Sequence, residues 1–371
     1  MALWKRSKRK RCYLNLEELL LKKTPFIDVR APVEFEPGSL PGAINLPILN
    51  NEERALIGTV YKKQGSAAAV KLGYELVSGS VKEARVQKWI SFVQKNPSVV
   101  LYCFRGGQRS QITQKWLKEA GINRPLIPGG YKFARNFLLD TISSFSREQE
   151  LVLVSGPTGG GKTMLLKELE GVRPSLALEH LANHRGSAFG AMEEPQPAQA
   201  NFENQLATSM IFLRTMLNQK KILVEDESRL IGRCILPNIF FDKLRASSVV
   251  WIEETLEKRI DNIFQDYILH SLIVKGEQEA GLRVFARYKN ALQKISKKLG
   301  GLKTKQILDL ILLAEQDFIS HNGLQLNKAW IEELLVFYYD PLYLSSLQRR
   351  QVNIQFKGSY TACLEYLKAQ Q

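Results

Sequence analysis

Short β-branched runs alternate along the chain with segments of helical spacing. The N-terminal part contains two such runs, FIDVR (26–30) and PSVVLY (97–102), which have the length and composition of buried strands. Because strands that alternate with helices are typical of α/β proteins, we predict an α/β domain over residues 12–140. Helical spacing marks three of its segments: Glu52–Tyr61, Val81–Gln94 and Ser110–Ala120, in which Ile112, Trp116 and Leu117 fall on one side.

Proline, glycine and polar clusters indicate the connections of this first domain. PGSLPGAINLP (37–47) predicts an irregular connection, since proline and glycine interrupt it repeatedly. IPGGY (127–131) predicts a turn that precedes another helix. The polar stretch Thr141–Glu150 predicts the linker to the next domain.

A second α/β pattern begins at LVLVS (151–155), an apolar strand that continues into GPTGGGKT (156–163) and then into a helix. KILVEDES (221–228) is a later strand that ends in acidic residues, and SVVWIE (248–253) is a third. These segments predict a second α/β domain over residues 145–371.

From about residue 256 to residue 335 the spacing becomes helical, which predicts a mostly helical addition to the second domain. Within 282–299 the apolar residues line one face, and the basic residues fall on the opposite one. The predicted apolar face comprises Leu282, Phe285, Tyr288, Leu292, Ile295 and Leu299, and the basic stripe comprises Arg283, Arg287, Lys294 and Lys298. Such a stripe is either the solvated side of an ordinary helix or a contact surface for RNA phosphates.

The charge balance is basic, with 52 Lys and Arg residues against 37 Asp and Glu residues and a formal net charge of +15. This excess is compatible with a polyanionic partner such as nucleic acid, although many basic proteins bind none. The N-terminal KRSKRKR (5–11) is either a solvated tail or an arm that contacts RNA.

The four cysteines are too widely spaced for a CxxC metal site and too few for a disulfide framework in a chain of 371 residues. Their usage therefore fits a reducing cytoplasm. We expect neither a membrane span nor a signal peptide, because no apolar run reaches about 18 residues and LNLEELLLKK carries charges directly after the basic tail. Three of the cysteines are predicted to be ordinary packing or surface residues: Cys12, Cys234 and Cys363.

The remaining cysteine, Cys103, lies in YCFRGGQRS (102–110), directly after a predicted strand and before a predicted helix. The backbone N–H groups at such a helix N-terminus, together with Arg105 and Arg109, favour a thiolate. Two reactive interpretations fit better than a structural cysteine. The spacing C-x5-R followed by Ser110 is that of cysteine-dependent phosphatases, and the alternative is chalcogen transfer through a persulfide-type species.

GPTGGGKT matches the phosphate-binding loop G-x-x-x-x-G-K-[ST] in full, in the required context between a strand and a helix. Its glycines allow backbone N–H groups to surround phosphate oxygens, its lysine supplies a point charge, and its threonine can ligate Mg²⁺. The motif predicts an oligophosphate ligand, either a nucleotide or another diphosphate. The predicted phosphate-binding residues are Gly156, Gly159, Gly160, Gly161, Lys162 and Thr163.

Acidic and polar candidates accompany the phosphate-binding loop in sequence. Asp226, at the end of KILVED, is the first choice for an acidic partner of the metal or its waters, and Glu225 is the second. His180 and His184 stand four residues apart, as on one helical face, but no third ligand of a familiar zinc pattern follows.

Several segments resemble known families. IDVR (27–30), Glu34-Phe35 and PGSLPGAINLP, followed by a cysteine loop, are similar to a rhodanese domain. A rhodanese-like domain followed by a P-loop domain resembles the tRNA 2-selenouridine synthases. Further stretches extend this resemblance over most of the chain: GTVYKKQG (58–65), YCFRGGQRS, GPTGGGKT, LANHRGSAFG (181–190), VEDESRLIG (224–232) and YYDPLY (338–343).

The resemblance implies a rhodanese-like α/β domain followed by a P-loop NTPase-like α/β domain with a mostly helical C-terminal addition. It implies a transferase that replaces the sulfur of a wobble 2-thiouridine of tRNA by selenium. In the first step geranyl diphosphate alkylates the sulfur, and in the second step selenophosphate supplies selenium. No tightly bound cofactor is expected, and Mg²⁺ is a candidate ion.

Carried onto this chain, the resemblance implies that Cys103 is the key residue of the rhodanese-like loop and that Arg105 and Arg109 hold an anion. Phe104 stands where the family pattern leads us to expect tryptophan, and an aromatic residue is kept. Because neither step consumes ATP, we expect the P-loop to hold the diphosphate of geranyl diphosphate. Three residues of LANHRGSAFG are candidate substrate contacts: Asn183, His184 and Arg185.

Three alternatives from other classes remain open. A rhodanese-type sulfurtransferase or a cysteine-dependent phosphatase, fused to a P-loop NTPase, would use the same cysteine loop. A non-catalytic RNA-binding module would keep both domains as scaffolds only, which the intact Cys103, Arg109, Lys162 and Thr163 argue against.

Overall fold

The computed structural model describes residues 15–216, 221–272, 278–348, 350 and 352–370. The basic segment 5–11 and Cys12 lie outside the described residues. The chain divides into two compact units. The first comprises the residues up to Thr141 together with Ala198–Phe212, and the second comprises Ile142–Pro197 and the residues from Leu213 onward.

The elements of the N-terminal part alternate between short strands and helices. In chain order they are α1 Leu16–Leu21, β1 Phe26–Asp28, α2 Pro32–Phe35, β2 Ala43–Asn45, α3 Asn51–Leu76, α4 Gly79–Lys95, β3 Val100–Tyr102, α5 Gln108–Glu119 and α6 Gly130–Glu148.

The described strands of the first unit form a parallel sheet in the order β2-β1-β3. Ile27 of β1 pairs with Ile44 on one side and with Leu101 on the other. Ile27 and Leu101 are fully buried in a core to which Trp89 of α4 and Trp116 of α5 also belong. This sheet fixes the end of β3, where the cysteine loop begins.

Two predictions for this unit are wrong in their extent. The connection 37–47 contains β2, which the flanking prolines and glycines conceal in the sequence; Asn45 donates hydrogen bonds to the carbonyls of Asp28 and Arg30. Helix α3 continues well beyond Tyr61, through a kink at Gly65, where φ is 84°.

The predicted linker 141–150 is also wrong, because α6 continues to Glu148. Its polar composition hides an apolar stripe of helical spacing. Leu138, Ile142 and Phe145 lie four and three residues apart, and all three are buried.

The second part of the chain has more helix, and β4 continues directly into the phosphate-binding loop. Its elements are β4 Leu151–Ser155, α7 Lys162–Glu168, β5 Ser175–Leu176, α8 Leu178–Ala182, α9 Gln199–Thr215, β6 Ile222–Glu225, β7 Leu230–Ile231, β8 Cys234–Ile235, α10 Asn238–Arg245, β9 Ser248–Ile252, α11 Leu256–Ile263, α12 His270–Leu272, α13 Gln278–Leu299, α14 Gly301–His321, α15 Asn327–Leu334, α16 Asp340–Gln348, β10 Ile354–Gly358 and α17 Tyr360–Ala369. Two π-helical turns, Phe264–Leu269 and Leu335–Tyr339, interrupt the helical addition.

The larger sheet of the second unit is parallel, and its described strands have the order β10-β9-β4-β6-β5. Strand β4 is central and fully buried, because it pairs with β6 on one side and with β9 on the other. The loop that follows β4 therefore emerges from the middle of the carboxyl edge, where ligands of open α/β sheets commonly bind.

The helical addition has a core of its own, to which α13, α14 and α15 contribute. Leu282 was predicted on the apolar face of α13, but it is exposed. The buried face runs instead through Gly281, Val284 and Phe285, because α14 packs closely at Gly281, where a Cβ atom would lie 2.3 Å from Phe318.

Helix α9 shows why the predicted bounds 12–140 and 145–371 do not coincide with the two units. Residues 198–212 belong with the first unit although they follow the phosphate-binding loop in sequence. Asn204 of α9 is fully buried and donates hydrogen bonds to the carbonyl of Ser39 and to the hydroxyl of Tyr131. Among the described residues, no helix has the length and apolar character that crossing a membrane requires.

Candidate functional site

Cys103 lies immediately after β3, at the start of the turn that leads into α5. Only 3% of its surface is exposed. Its Sγ atom is 3.2 Å from the hydroxyl oxygen of Ser110, which also donates a hydrogen bond to the carbonyl of Gly107. The single proton of the Ser110 hydroxyl goes to Gly107 in this arrangement, and a rotation of the hydroxyl would direct it to a thiolate at Cys103 instead.

The turn 127–131 supports the cysteine loop from behind. The N–H of Tyr131 donates to the carbonyl of Cys103 over 2.8 Å, and the N–H of Lys132 donates to the carbonyl of Phe104 over 2.9 Å. Gly130 has φ of 58°, and a Cβ atom there would lie 2.2 Å from the carbonyl oxygen of Cys103. Only glycine permits this close approach of two backbones, so IPGGY is a structural part of the loop.

Arg109, in the first turn of α5, is held by a carboxylate from α2. Its guanidinium donates two hydrogen bonds to Glu34, of 2.5 Å and 3.2 Å. Partial burial would raise the pKa of Glu34, but the hydrogen bonds and the charge of Arg109 outweigh it and hold that pKa below its ordinary value. An oxyanion that binds at Arg109 must therefore compete with an ionised Glu34.

A cavity of about 990 Å³ opens beside this loop, and Cys103, Arg105 and Arg109 all contribute to its lining. The guanidinium of Arg105 lies 5.7 Å from the ring centre of Phe104, which is itself partly exposed. The structure thus brings together the three residues that the sequence predicted for the cysteine site.

The phosphate-binding loop follows β4 with the backbone that its glycines permit. Gly159 and Gly161 have φ values of 82° and 88°, and Gly161 caps α7 in the left-handed conformation. At Gly159 a Cβ atom would lie 2.7 Å from the carbonyl of Arg259. The Lys162 ammonium curls back and donates to the carbonyl of Gly156 over 3.2 Å.

Lys162 is surrounded by groups that stabilise its charged form. Burial would lower the pKa of its ammonium, but Tyr343, Glu227 and other acidic groups nearby raise that pKa above its ordinary value. The Tyr343 hydroxyl also accepts a 2.9 Å hydrogen bond from the N–H of Gly156, the first residue of the loop. Tyr343 therefore contacts the backbone of the loop and faces its lysine.

The two predicted acidic partners have different surroundings. Asp226 is bound by Ser155 over 2.6 Å and by Arg245 and Arg350 over 3.1–3.3 Å. Glu225 is fully buried, and it accepts a hydrogen bond from the N–H of Glu179. Two arginines thus neutralise the charge of Asp226, the first choice. Among the described contacts no arginine binds Glu225, the second choice, so its carboxylate is the one less occupied by cations of the protein.

Glu179 joins Glu225 beside the loop threonine. The hydroxyl of Thr163 donates to the Glu179 carboxylate over 3.0 Å, and it lies close enough to Glu225 to lower the pKa of that acid in part. Burial, reinforced by the charge of Glu225, raises the pKa of Glu179 to about 7. The pKa of Glu227 is also raised, mainly because the side chain is buried. The loop thus places one lysine beside several glutamates whose pKa values are raised.

Comparison with known proteins assigns both halves of the chain. Residues 149–371 match the family model of the tRNA 2-selenouridine synthase AAA domain, and residues 14–133 match that of the rhodanese-like domain. Curated relatives named tRNA 2-selenouridine synthase include those of Nitrosomonas eutropha and Nitrosomonas europaea, each 51% identical to this chain and covering 96% of it. The alignments cover 96% and 97% of those relatives, and a third, from Bdellovibrio bacteriovorus, is 54% identical over 93% of this chain and 94% of its own length.

The chain belongs to the tRNA 2-selenouridine synthase family. Both the predicted fold class and the predicted resemblance are thereby confirmed.

In this tRNA 2-selenouridine synthase family member, the segment 181–190 is built into the second unit. Asn183 has φ of 48°, ends α8, and donates to the carbonyl of Glu194. Arg185 pairs with Asp266 over 3.0 Å and stacks on Tyr267. Asn183 and Arg185 thus make contacts within the protein, and their predicted role in substrate binding stays a prediction.

His184 was predicted to share a helical face with His180, and this is wrong, because α8 ends at Ala182 and the left-handed Asn183 separates the two rings. Burial, together with Lys294 and Arg185, lowers the pKa of His184. Among the described residues, no group of three or more His, Cys, Asp or Glu side chains is arranged to hold a metal ion.

Sequence reasoning missed several contributors to both loops. Ser110 was noted only for its spacing, and Glu34 only as part of the rhodanese resemblance. Tyr343 stands in YYDPLY and Glu227 in VEDESRLIG, two segments quoted for the family resemblance. Their roles beside Lys162 depend on contacts across the fold, which no local pattern reveals.

Proposed function

We propose that this chain is a tRNA 2-selenouridine synthase that replaces the sulfur of 2-thiouridine at the tRNA wobble position by selenium. The membership of the family and the coverage of its relatives support this proposal. The observation that carries it is the pairing, on one chain, of a cysteine loop beside a cavity with a complete phosphate-binding loop. We expect the reaction to take place in the cytoplasm, where the tRNA substrate is found.

The first proposed step is S-alkylation by geranyl diphosphate. The sulfur of 2-thiouridine attacks C1 of the geranyl group, the C1–O bond breaks, pyrophosphate leaves with the electron pair, and the base loses its N3 proton. We assign the diphosphate to the loop Gly156–Thr163, because its N–H groups and Lys162 are suited to an oligophosphate. Mg²⁺ would fit the hydroxyl of Thr163 and the Glu225 carboxylate, whose buried Oε1 atom has no hydrogen-bond partner among the described residues.

The second proposed step replaces the geranylthio group by selenium. The selenium of selenophosphate attacks C2 of the base, the C2–S bond breaks and geranyl thiol leaves, and water then cleaves the Se–P bond to release phosphate. We assign this step to the loop of Cys103, because Arg105, Arg109 and the N-terminus of α5 can hold a phosphate-sized oxyanion. Cys103 lies at the base of that cradle.

The test is mass spectrometry of nucleosides from 2-thiouridine tRNA incubated with the protein and geranyl diphosphate, with and without selenophosphate. We expect a geranyl adduct in both reactions and 2-selenouridine only with selenophosphate. Unchanged 2-thiouridine in both reactions would contradict the proposal. Release of phosphate from a simple aryl phosphate, or sulfur transfer from thiosulfate, would then identify a phosphatase or a sulfurtransferase.

The tRNA partner gives a separate expectation. A chain with a net charge of +15 should bind tRNA with an affinity that falls steeply between low and physiological salt. A flat salt response would count against this electrostatic contribution.

A further inference from the structure

Helix α3 is largely exposed. Of its 26 residues only Ala69 is buried. Its two halves meet at Gly65, where the backbone is not helical. Ile57 and Leu76 pack against the core, but most of the helix does not, so core packing alone does not explain why this helix lines a cavity with the cysteine loop.

Both halves of α3 line the 990 Å³ cavity beside Cys103. Ile57 comes from the first half and Val70 from the second, and α5 contributes Ile112 and Trp116 from the opposite side. Tyr74 of α3 contacts Trp116 edge-on, with ring centres 6.1 Å apart. These walls are aliphatic and aromatic, and they suit a hydrocarbon better than the polar edge of a base.

The rest of the lining is mixed, and it carries more cations than acids, since Glu34 is its one acid among the described residues. Arg54 and Lys62 of α3 and Arg105 of the cysteine loop bring positive charge to the cavity that contains the apolar walls. Arg54 and Lys62 are exposed, and Tyr61 beside them is 58% exposed. Apolar walls together with exposed cations fit a ligand that carries both a hydrocarbon chain and nucleic-acid phosphates.

We propose that this cavity binds the prenyl chain of an S-alkylated 2-thiouridine while the nucleobase lies at the loop of Cys103. The identity of this ligand rests on the proposed function. A small oxyanion alone would occupy only the loop, and no part of it would contact the apolar walls. The alkylated nucleotide occupies both parts and presents its C2–S bond to the anion cradle.

The second unit offers a competing apolar cavity, which is much smaller. It lies beside Thr158 of the phosphate-binding loop, between Phe189, Trp330 and the π-helical turns, and its volume is about 20 Å³. A space of that size holds little more than a water molecule. The cavity beside Cys103 is therefore the better place for the chain of the alkylated intermediate.

The first test is binding without turnover. Two synthetic anticodon stem-loops, one with S-geranyl-2-thiouridine and one with S-methyl-2-thiouridine, are titrated with the full-length protein in the absence of selenophosphate, and binding is followed by fluorescence anisotropy. We expect the geranyl form to bind about tenfold more tightly, because its chain leaves water. Ile57→Glu and Val70→Glu should bring the ratio of the two dissociation constants close to one.

The matched control is Leu56→Glu. Leu56 neighbours Ile57 on the same helix and is 52% exposed, but it is not among the residues that line the cavity. The same charge is added one position away on the same helix but outside the cavity, so this variant should keep the wild-type ratio. A wild-type ratio of one, or wild-type ratios in both cavity variants, would overturn the inference.

A second measurement does not depend on any substitution. An S-prenyl chain with a diazirine at its end, on the same stem-loop, is photolysed on the wild-type protein, and the adducts are mapped by peptide mass spectrometry. We expect adducts in residues 54–77 and 112–116, and adducts around Thr158 and Trp330 would overturn the inference. If the binding ratio and the adducts are as expected but added selenophosphate yields no 2-selenouridine, the cavity assignment stands and the proposed function fails.

Discussion

Two strand-to-helix turns of this protein, one after β3 and one after β4, present backbone N–H groups to an anion, and they differ in their surroundings. After β3, Cys103 and Arg109 lie beside a wide cavity, and one partly buried acid, Glu34, faces the arginine. After β4, Lys162 is enclosed by acids whose pKa values are raised, Glu179 and Glu227 among them.

From this difference we infer that the two turns accept two different kinds of ligand. The turn after β3 leaves room for a bulky organic group next to a small oxyanion, with Cys103 at the base of the turn. The turn after β4 is dense in charge, and the apolar cavity beside Thr158 is small, so we expect this turn to suit a compact oligophosphate. We therefore expect the two turns to serve separate steps.

The largest expected effect comes from disabling each turn separately. Cys103→Ala should reduce selenium incorporation on the order of 10³-fold, because we assign that step to the loop of which the family resemblance implies Cys103 is the key residue, and it should leave geranylation of 2-thiouridine tRNA near the wild-type rate. Lys162→Ala should reduce geranylation by on the order of 10²–10³-fold, because it removes the charge that stabilises the leaving diphosphate. Nucleoside mass spectrometry measures both products.

The Lys162→Ala variant carries its own control. Supplied with RNA that already contains S-geranyl-2-thiouridine, it should form 2-selenouridine as fast as the wild type does. If either variant loses both activities while its circular dichroism spectrum is unchanged, the two turns form one site and the division of labour is wrong.

A smaller effect is expected at the guanidinium of the cysteine turn. Arg109→Lys keeps the charge but loses the planar fork that can bind two oxygens of a phosphate-like anion at once. We expect kcat/KM for selenophosphate to fall about 10- to 100-fold, with geranylation unchanged. A loss below about twofold would show that Arg109 acts only as a point charge.

A still smaller effect, of opposite sign, is expected at Glu34. Its carboxylate competes with the incoming oxyanion for Arg109, and Glu34→Gln removes that charge while it keeps an acceptor oxygen. The KM for selenophosphate should fall about two- to fivefold, the size typical of a partly exposed ion pair. An increase of KM would instead mean that the carboxylate is needed to orient Arg109.

How far the fold could be predicted depends on how local its determinants are. β4 was predicted because it is a continuous apolar run, and the helices around Trp89 and Trp116 were predicted because their segments have helical spacing. β2 was missed because only three residues pair with β1 between proline and glycine. Helix α9 joins the first unit through Asn204, a long-range contact without a local signal.

The candidate site divides in the same way. Cys103, Arg109 and Lys162 stand in motifs whose spacing carries their chemistry, so the sequence was sufficient to select them. Glu34 and Tyr343 act on those residues from elements far away in sequence, and the choice between Asp226 and Glu225 depends on which arginines reach each carboxylate. Such contacts are properties of the packed chain, and periodicity does not encode them.

The smallest expected effect concerns stability and tests the burial of acid beside the phosphate-binding loop. The folded protein holds the pKa of Glu179 at about 7, well above its ordinary value of 4.5. Between those two values the folded state binds more protons than the unfolded state does, so the stability contributed by this group is lost as the pH rises through the window. The glutamine of Glu179→Gln does not titrate. The difference in unfolding free energy between variant and wild type should therefore change in favour of the variant by on the order of 2 kcal/mol as the pH rises from 5 to 8. Urea unfolding followed by circular dichroism at several pH values measures this difference. The control is Glu170→Gln at an exposed position, for which the difference in unfolding free energy from the wild type should not change with pH. A difference that does not change with pH for Glu179→Gln would show that the carboxylate is ionised throughout, and the contrast between an open cysteine turn and an acid-rich phosphate turn would then rest on geometry alone.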